Sequence, residues 1–265
     1  MPVIDAHSHI YPAKIASKAS DAVGDFYHVE MAAPVASAEA LLAACEGTPI
    51  THHLVHSVAT TPGQVETINT FIADQCFMYP EFIGFATMHQ DYVDMEGEIE
   101  RAIELGLKGV KIHPDTQKVD MDDPRLMRLY EIIEGRLPIV IHTGDYRYDY
   151  SHPRRLKKIL RVFPNLVVDA AHFGGWSVFD YALEYLEDEK CYVDTSSALE
   201  FLGPRRTVEL VRAYGVERVM FGSDFPMWSP ATEYNMLAAM PFTDEEFEAI
   251  TWSNAQRFIA GELPR

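Results

Sequence analysis

From about residue 50 onward the chain repeats one unit: a short apolar run, then an amphipathic stretch that ends at glycine or just before proline. His52 to Val58, Phe82 to Met88, Gly109 to His113, Pro138 to His142, Leu166 to His172, Tyr192 to Thr195 and Arg218 to Phe221 read as strands. Helical spacing follows each of them: Gln64 to Tyr79, Glu96 to Leu105, Pro124 to Glu134, Pro153 to Val162, Ser177 to Leu186, Pro204 to Tyr214, and the last stretch to about Ala260. With the opening run from Val3 to His9 this makes eight strands. Apolar strands alternating with amphipathic helices demand a parallel sheet covered by helices. Eight units of roughly thirty residues close into a (β/α)8 barrel. The chain reads as a single domain over 1–265.

One segment breaks the rhythm. Residues 11–50 mix Ala-rich helical text with Pro12, Gly24, Pro34, Gly47 and Pro49. They are too many for an ordinary strand-to-helix connection. We read them as a helical insertion that folds over the barrel mouth; the plainer reading is a first barrel helix with a ragged approach.

Composition narrows the partners. The formal charge is −18, with 40 acidic against 22 basic residues, so binding to a nucleic-acid backbone is disfavoured. Cys45, Cys76 and Cys191 are far apart, odd in number and lack a CxxC, which argues against both a disulfide framework and a thiolate metal site. No apolar run is long enough to span a bilayer and no leader precedes the first strand, so a reduced cytoplasm is the default. The expected partner is a small molecule, with self-association left open.

Barrel chemistry sits at the C-terminal ends of the strands. There the chain places His7 and His9, His56, His89, Lys111 and His113, His142, His172, Asp194 and Asp224. Most of the eleven histidines are on that list, whereas random placement would scatter them over helices and loops. In a plain strand His7 and His9 share a side, with Asp5 behind them. Neutral imidazoles crowded at a buried strand end are well satisfied by a divalent metal.

The segments IDAHSHI, GVKIHP, IVIHTG, AHFGGW, YVDTSS and FGSDFP, in that order on successive strands, resemble the amidohydrolase superfamily. More narrowly they resemble the amidohydrolase-related branch that includes aminocarboxymuconate-semialdehyde decarboxylase; the closing Asn254-Ala255 is similar too. The resemblance covers nearly the whole chain. It implies that His7, His9, His142 and Asp224 hold one divalent metal, zinc first and manganese or iron next. It implies that His172 is the general acid or base and that Asp224 takes the proton of metal-activated water. Such a site keeps a position for water and lowers its pKa to about 7. Lys111 leaves a second arrangement open: as a CO2-modified bridge it would serve two metals, with His142 and His172 on the second.

Other residues carry weaker signals. Arg147, in the aromatic loop after strand five, is a candidate clamp for a substrate carboxylate. His113 and Trp176 are candidates for the substrate pocket, and Trp228 for its wall. His56 and His89 read equally as pocket or core residues; His28, His52, His53 and His152 read as surface or capping residues. Asp5 reads as a partner behind the ligands; Asp194, with Thr195, Ser196 and Ser197, reads either as such a partner or as polar strand-end text. Gly174 and Gly175 imply backbone approaching a ligand. Arg205 and Arg206, opening a helix, are further cations for an anionic substrate.

Three activities compete. Metal-dependent hydrolysis of a small, carboxylated molecule leads. Non-oxidative decarboxylation on the same metal is the alternative. A TatD-type nuclease would share the barrel and the His-x-His but would want a glutamate where Lys111 stands, and a charge of −18 opposes it.

Overall fold

The structure is a computed structural model that describes residues 1–264. Strand β1 (Val3–His9) leads into helices α1 (Ala13–Tyr27) and α2 (Ala38–Ala44), then β2 (Ile50–His56). There follow α3 (Val65–Met78), β3 (Phe82–Gly84), β4 (Ala86–Thr87), α4 (Met95–Glu104), β5 (Val110–Ile112), the short α5 (Pro114–Gln117) and α6 (Pro124–Ile133). The remainder is β6 (Ile139–Ile141), α7 (Pro153–Val162), β7 (Val168–Ala170), α8 (Phe179–Leu186), β8 (Tyr192–Asp194), α9 (Leu199–Tyr214), β9 (Val219–Met220), α10 (Pro230–Ala238), α11 (Asp244–Glu248) and α12 (Asn254–Ile259). Helix starts follow local chemistry. Asp123 and His152 accept a backbone N–H at the heads of α6 and α7, each followed by proline at the first helical position. Thr243 and Glu246 form a reciprocal capping box on α11.

All strand pairs are parallel and follow chain order. β3 and β4 are one barrel strand interrupted at Phe85. The Phe85 N–H still donates to Val55 O at 2.9 Å, and the next N–H, of Ala86, turns to Gly109 O at 2.8 Å. At the other seam, Ala6 N–H donates to Phe221 O (2.8 Å), Asp224 N–H to His7 O (2.8 Å) and His9 N–H to Phe225 O (2.7 Å). These bonds join the first strand to the last, and the fold is a (β/α)8 TIM barrel.

Alternation sorts the strand residues. Val110, Ile112, Ile139, Ile141, Val168, Ala170, Val193 and Val219 join the core shared with the helices. Ile4, Ala6, Leu54, Phe85, Val140, Tyr192 and Met220 form a second, inner cluster closed from below by Phe258 of α12. Lys111 pairs in register with Val140, Val140 with Asp169, and Asp169 with Tyr192. Lys111 and Asp169 therefore share the inner layer with apolar neighbours. Above that layer the interior turns polar.

Residues 11–50 fold back on themselves and onto the last strand. Tyr11 N–H donates to Ala36 O at 2.8 Å, and Ser20 Oγ to Ala33 O at 2.7 Å. Ala32 and Ala33 N–H groups donate to Met227 O and Pro226 O, both at 3.1 Å. This ties the segment beside the end of strand eight.

Candidate active site

The first strand is not a plain one. Its register with β2 slips between Asp5 and Ser8, which pair with His53 and Val55. Three residues oppose two there, so β1 carries one extra residue, a bulge of the kind that re-aims side chains near functional sites. Asp5 and Ser8, on opposite sides of an unbroken strand, instead meet: Ser8 Oγ donates to Asp5 Oδ2 at 2.9 Å. Ser223 N–H (2.9 Å), Ser223 Oγ (2.5 Å) and His7 N–H (3.2 Å) complete the Asp5 shell. Burial nevertheless pushes its pKa up to about 6. Asp5 thus braces the seam between the first and last strands.

His7 and His9 lie together beyond the bulge. The His7 ring is 5.4 Å from His9, 4.8 Å from His56 and 5.0 Å from His172. His9 and His56 are 4.4 Å apart. Asp194 Oδ2 lies 2.8 Å from His7 Nδ1, which fixes the proton there and turns the Nε2 lone pair into the barrel. Lys111 Nζ stands 3.1 Å from that Nε2. Asp224 Oδ1 is 3.3 Å from His9 Nε2 and 3.6 Å from His7 Nε2.

Burial sets the protonation states. It pushes His9 down to about 4, against the pull of the Asp224 carboxylate beside it. It also drives His56, His113 and His172 well below the ordinary imidazole value, so these rings are neutral and can act as ligands at pH 7. Burial raises Asp224 and Asp194, but nearby imidazoles outweigh it: the bond to His9 and the neighbouring His7 and His172 hold Asp224 below the usual carboxylate range, and His7 holds Asp194 there. Lys111, almost wholly enclosed, is pushed down to about 8 by burial, partly offset by Asp224, Asp194 and Asp169.

His142 and His172 form the other half of the cluster. His142 Nδ1 lies 3.0 Å from His172 Nε2. His142 Nε2 lies 3.0 Å from Gly144 O and therefore carries hydrogen. Ser196 Oγ, which donates to Asp194 Oδ1, is 2.8 Å from His172 Nδ1, so that nitrogen carries hydrogen too. The two inner nitrogens then face each other with lone pairs if both rings are neutral. Such a pair requires a cation, whether proton or metal ion. His9 Nδ1 and both ring nitrogens of His56 are buried without a protein partner. Unsatisfied imidazole nitrogens, a cation-demanding pair and an ionised carboxylate together fit a divalent metal.

The expected ligand set is divided by the structure. Among the described residues, ion-sized groupings are His7–His9–His56, His7–His172–Asp194 and His113–Asp115–His142. His142 therefore meets the His7 group through His172, and His56 stands as close to His7 and His9 as any expected ligand. His113 stacks flat on His142, with ring centres 3.8 Å apart. His89 lies apart from these groupings, accepting from Asp91 N–H at 3.1 Å.

Arg147 is already occupied. Its Nε and Nη2 pair with both oxygens of Asp145 (3.0 and 2.7 Å), and Nη1 donates to Phe26 O at 2.6 Å. Phe26, Tyr27, Tyr148 and Trp176 surround its guanidinium at 4.8–5.9 Å. Arg147 thus fastens the end of α1 to the loop after strand five. Arg205 and Arg206 pair with Glu209 and Asp180 on the exterior. Gly174 and Gly175 serve packing: a Cβ on them would meet Leu186 and Ala182 of α8 at 2.8 and 2.7 Å. Gly144, at φ +80°, lets its loop touch the Gly175 backbone, where a Cβ would sit 2.5 Å away. His53, read as a surface or capping residue, is buried against Phe82.

Two contributors escaped the sequence reading. Tyr27, the last residue of α1, places its hydroxyl 2.7 Å from His113 Nε2 and its ring 4.9 Å from Trp176. No periodicity marks it, since it lies in the irregular segment. Asp115 sits under His142, 3.4 Å from Nε2, and accepts from Ser151 Oγ at 2.5 Å; its place two residues after His113 was a usable signal. Ser196 and Ser197, which the sequence left open as partners behind the ligands or as polar strand-end text, bond to His172 and Asp224.

Among solved structures, the chain is similar to an uncharacterized TIM-barrel protein from Bordetella bronchiseptica, at 19% identity and TM-score 0.77, over 98% of this chain and 99% of that one. It is similar to a dihydroxybenzoic acid decarboxylase from a Polaromonas species (14%, TM-score 0.74, 98% and 97% covered). It is also similar to 5-carboxyvanillate decarboxylase from Sphingomonas paucimobilis (17%, TM-score 0.73, 98% and 99% covered). At these identities the likeness is one of fold. The sequence model of the amidohydrolase family matches residues 4–260, from the first strand through the helix that plugs the barrel floor. The chain belongs to the amidohydrolase family.

Proposed function

We propose that this protein is a divalent-metal-dependent enzyme that hydrolyses a small carboxylated molecule. One observation carries the reading: His7 Nε2 and His9 Nε2 both converge on a single oxygen of Asp224, beside imidazole nitrogens that lack any protein partner. When bound, the ion polarises a substrate oxygen and acidifies water. His7, His9 and Asp224 would hold it, with His142 or His56 completing the set. Zinc suits these nitrogen and oxygen donors; the Polaromonas neighbour contains manganese. Carboxylation of Lys111 would make room for a second ion.

The residues have distinct tasks. Asp194 keeps the His7 proton on Nδ1. Asp224, ionised, accepts the proton of the attacking water. His172, held by Ser196, passes a proton to the leaving group. Lys111 supplies a buried cation for the substrate carboxylate, a task its existing pair with Asp145 denies to Arg147. Trp176 and His113 line the entry beneath Tyr27. The reading takes a small molecule as partner, with no nucleic acid and no membrane; among the described residues no helix is long and apolar enough to cross one.

A second reading, decarboxylation on the same ion, is favoured by the neighbours, two of which are named as decarboxylases. One experiment separates the readings. Zinc- and manganese-loaded protein is offered carboxylated esters and amides, their neutral analogues, and aromatic acids such as 5-carboxyvanillate. Ester or amide cleavage that prefers the carboxylated member supports hydrolysis, and CO2 release supports the second reading. Equal use of the neutral analogues removes the carboxylate from the proposal. Wild-type protein that takes up neither metal sinks both. His172→Asn is expected to keep metal and lose turnover.

A further inference from the structure

Ser197 follows β8 and is buried, with its backbone in the left-handed region at φ +51°. Asp224, beyond β9, is also left-handed at φ +61°. Residues with a side chain are held in that region only where their surroundings over-determine them, and such residues gather at functional sites. Here the two meet: Ser197 Oγ donates to Asp224 Oδ2 at 2.5 Å. The indole Nε1–H of Trp228 donates to the same Ser197 Oγ at 2.8 Å. Met227 Sδ lies 3.3 Å from it.

The direction of this chain is fixed by chemistry. An indole nitrogen can only donate, and an ionised carboxylate can only accept. The serine hydroxyl must therefore accept from Trp228 and point its own hydrogen at Asp224. One lone pair of Oδ2 is thereby taken, and Oδ1 is the oxygen that faces His9 and His7.

We infer that Ser197, oriented by the Trp228 N–H, is a positioning residue that makes Asp224 a one-oxygen ligand aimed at the histidine pair. The inference rests on the metal reading above. It also ties a wall residue of the mouth, Trp228, to the ion through two hydrogen bonds.

The test is manganese affinity, measured by chelator competition on metal-stripped protein, with melting of the metal-free form alongside. Ser197→Ala should weaken manganese binding 10- to 100-fold, the usual consequence of losing a partner behind a ligand. Trp228→Phe keeps the aromatic wall and deletes only the N–H; it should weaken binding several-fold. The double variant should bind no more weakly than Ser197→Ala alone, because Trp228 acts through Ser197. A merely structural role would lower metal-free melting and leave the two losses independent. Affinities within twofold of wild type for both single variants, or fully additive losses, overturn the inference and leave the metal site intact. A wild type that binds no manganese overturns the metal reading itself, and this inference with it.

Discussion

The floor and the roof of the barrel mouth each carry a cation, buried in the first and half-buried in the second, and they treat it in opposite ways. On the floor, Lys111 has no carboxylate in ion-pair contact among the described residues; its nearest polar neighbour is His7 Nε2 at 3.1 Å. In the same layer lies Asp169, whose two oxygens are unpartnered and whose pKa burial and the Asp194 charge push well up. On the roof, Arg147 is forked onto Asp145, bonded to Phe26 O and boxed by four aromatic rings. A paired, fully bonded guanidinium stabilises the local structure. An unpaired buried ammonium costs stability and keeps its charge for something else. The roof is therefore built to hold, and the floor to react.

Exchanging Lys111 gives the strongest break of that contrast. Lys111→Met preserves length and removes the charge, so turnover is expected to fall on the order of a hundredfold or more. Stability should move the other way in metal-free protein. The lysine's pKa is about 8 when folded against 10.5 when unfolded. Its contribution is thus fully present only above pH 10.5 and is lost as pH falls through 8. At pH 7 the variant should be more stable than wild type by on the order of 3 kcal/mol, and the gain should vanish by about pH 10.5. Denaturant titrations across that range check the sign; a variant less stable at pH 7 would mean that Lys111 is satisfied after all.

Asp194→Asn sharpens the floor side. Losing the carboxylate behind His7 Nδ1 frees the ring's tautomer and should weaken metal binding about 10- to 100-fold, read by metal titration. Arg147→Met tests the roof. It removes the Asp145 pair and the Phe26 bond, and should cost about 1–3 kcal/mol. Limited proteolysis within residues 11–50 should then precede global unfolding, while metal content stays unchanged. Coupled loss of metal would erase the distinction between the two regions. Tyr27→Phe is the mildest change: one hydrogen bond to His113 goes, worth about 1 kcal/mol, and thermal melting should fall by a few degrees at most.

The eight-strand rhythm was legible because strands and helices announce themselves by period. Helix boundaries agree within a few residues at Pro124, Pro153 and Gly215; at Pro204 the expected start is overrun, the helix beginning at Leu199 with a break at Gly203 (φ +67°). The site's inventory was legible for the same reason. Once strand ends are known, Lys111, His142 and Asp194 follow the inward alternation of Val140 and Tyr192, but His7, His9 and His172 do not: the bulge re-aims the first pair, and a left-handed backbone (φ +63°) goes with the inward turn of His172. Grouping was not legible. The β1 bulge depends on pairing with β2, and the split of His142 from His7 depends on ring orientations set by Gly144, Ser196 and Asp194.

What the sequence determined by itself is thus the barrel and the ring of chemistry-bearing residues at its mouth, because both follow from short-range periodicity. What only the tertiary structure decided is which of these residues act on one another and what covers them. Arg147 finds the Phe26 carbonyl 121 positions away, and Tyr27 finds His113 across 86. Contacts of that span are chosen by shape and by the need to satisfy buried polar groups. No local pattern encodes them.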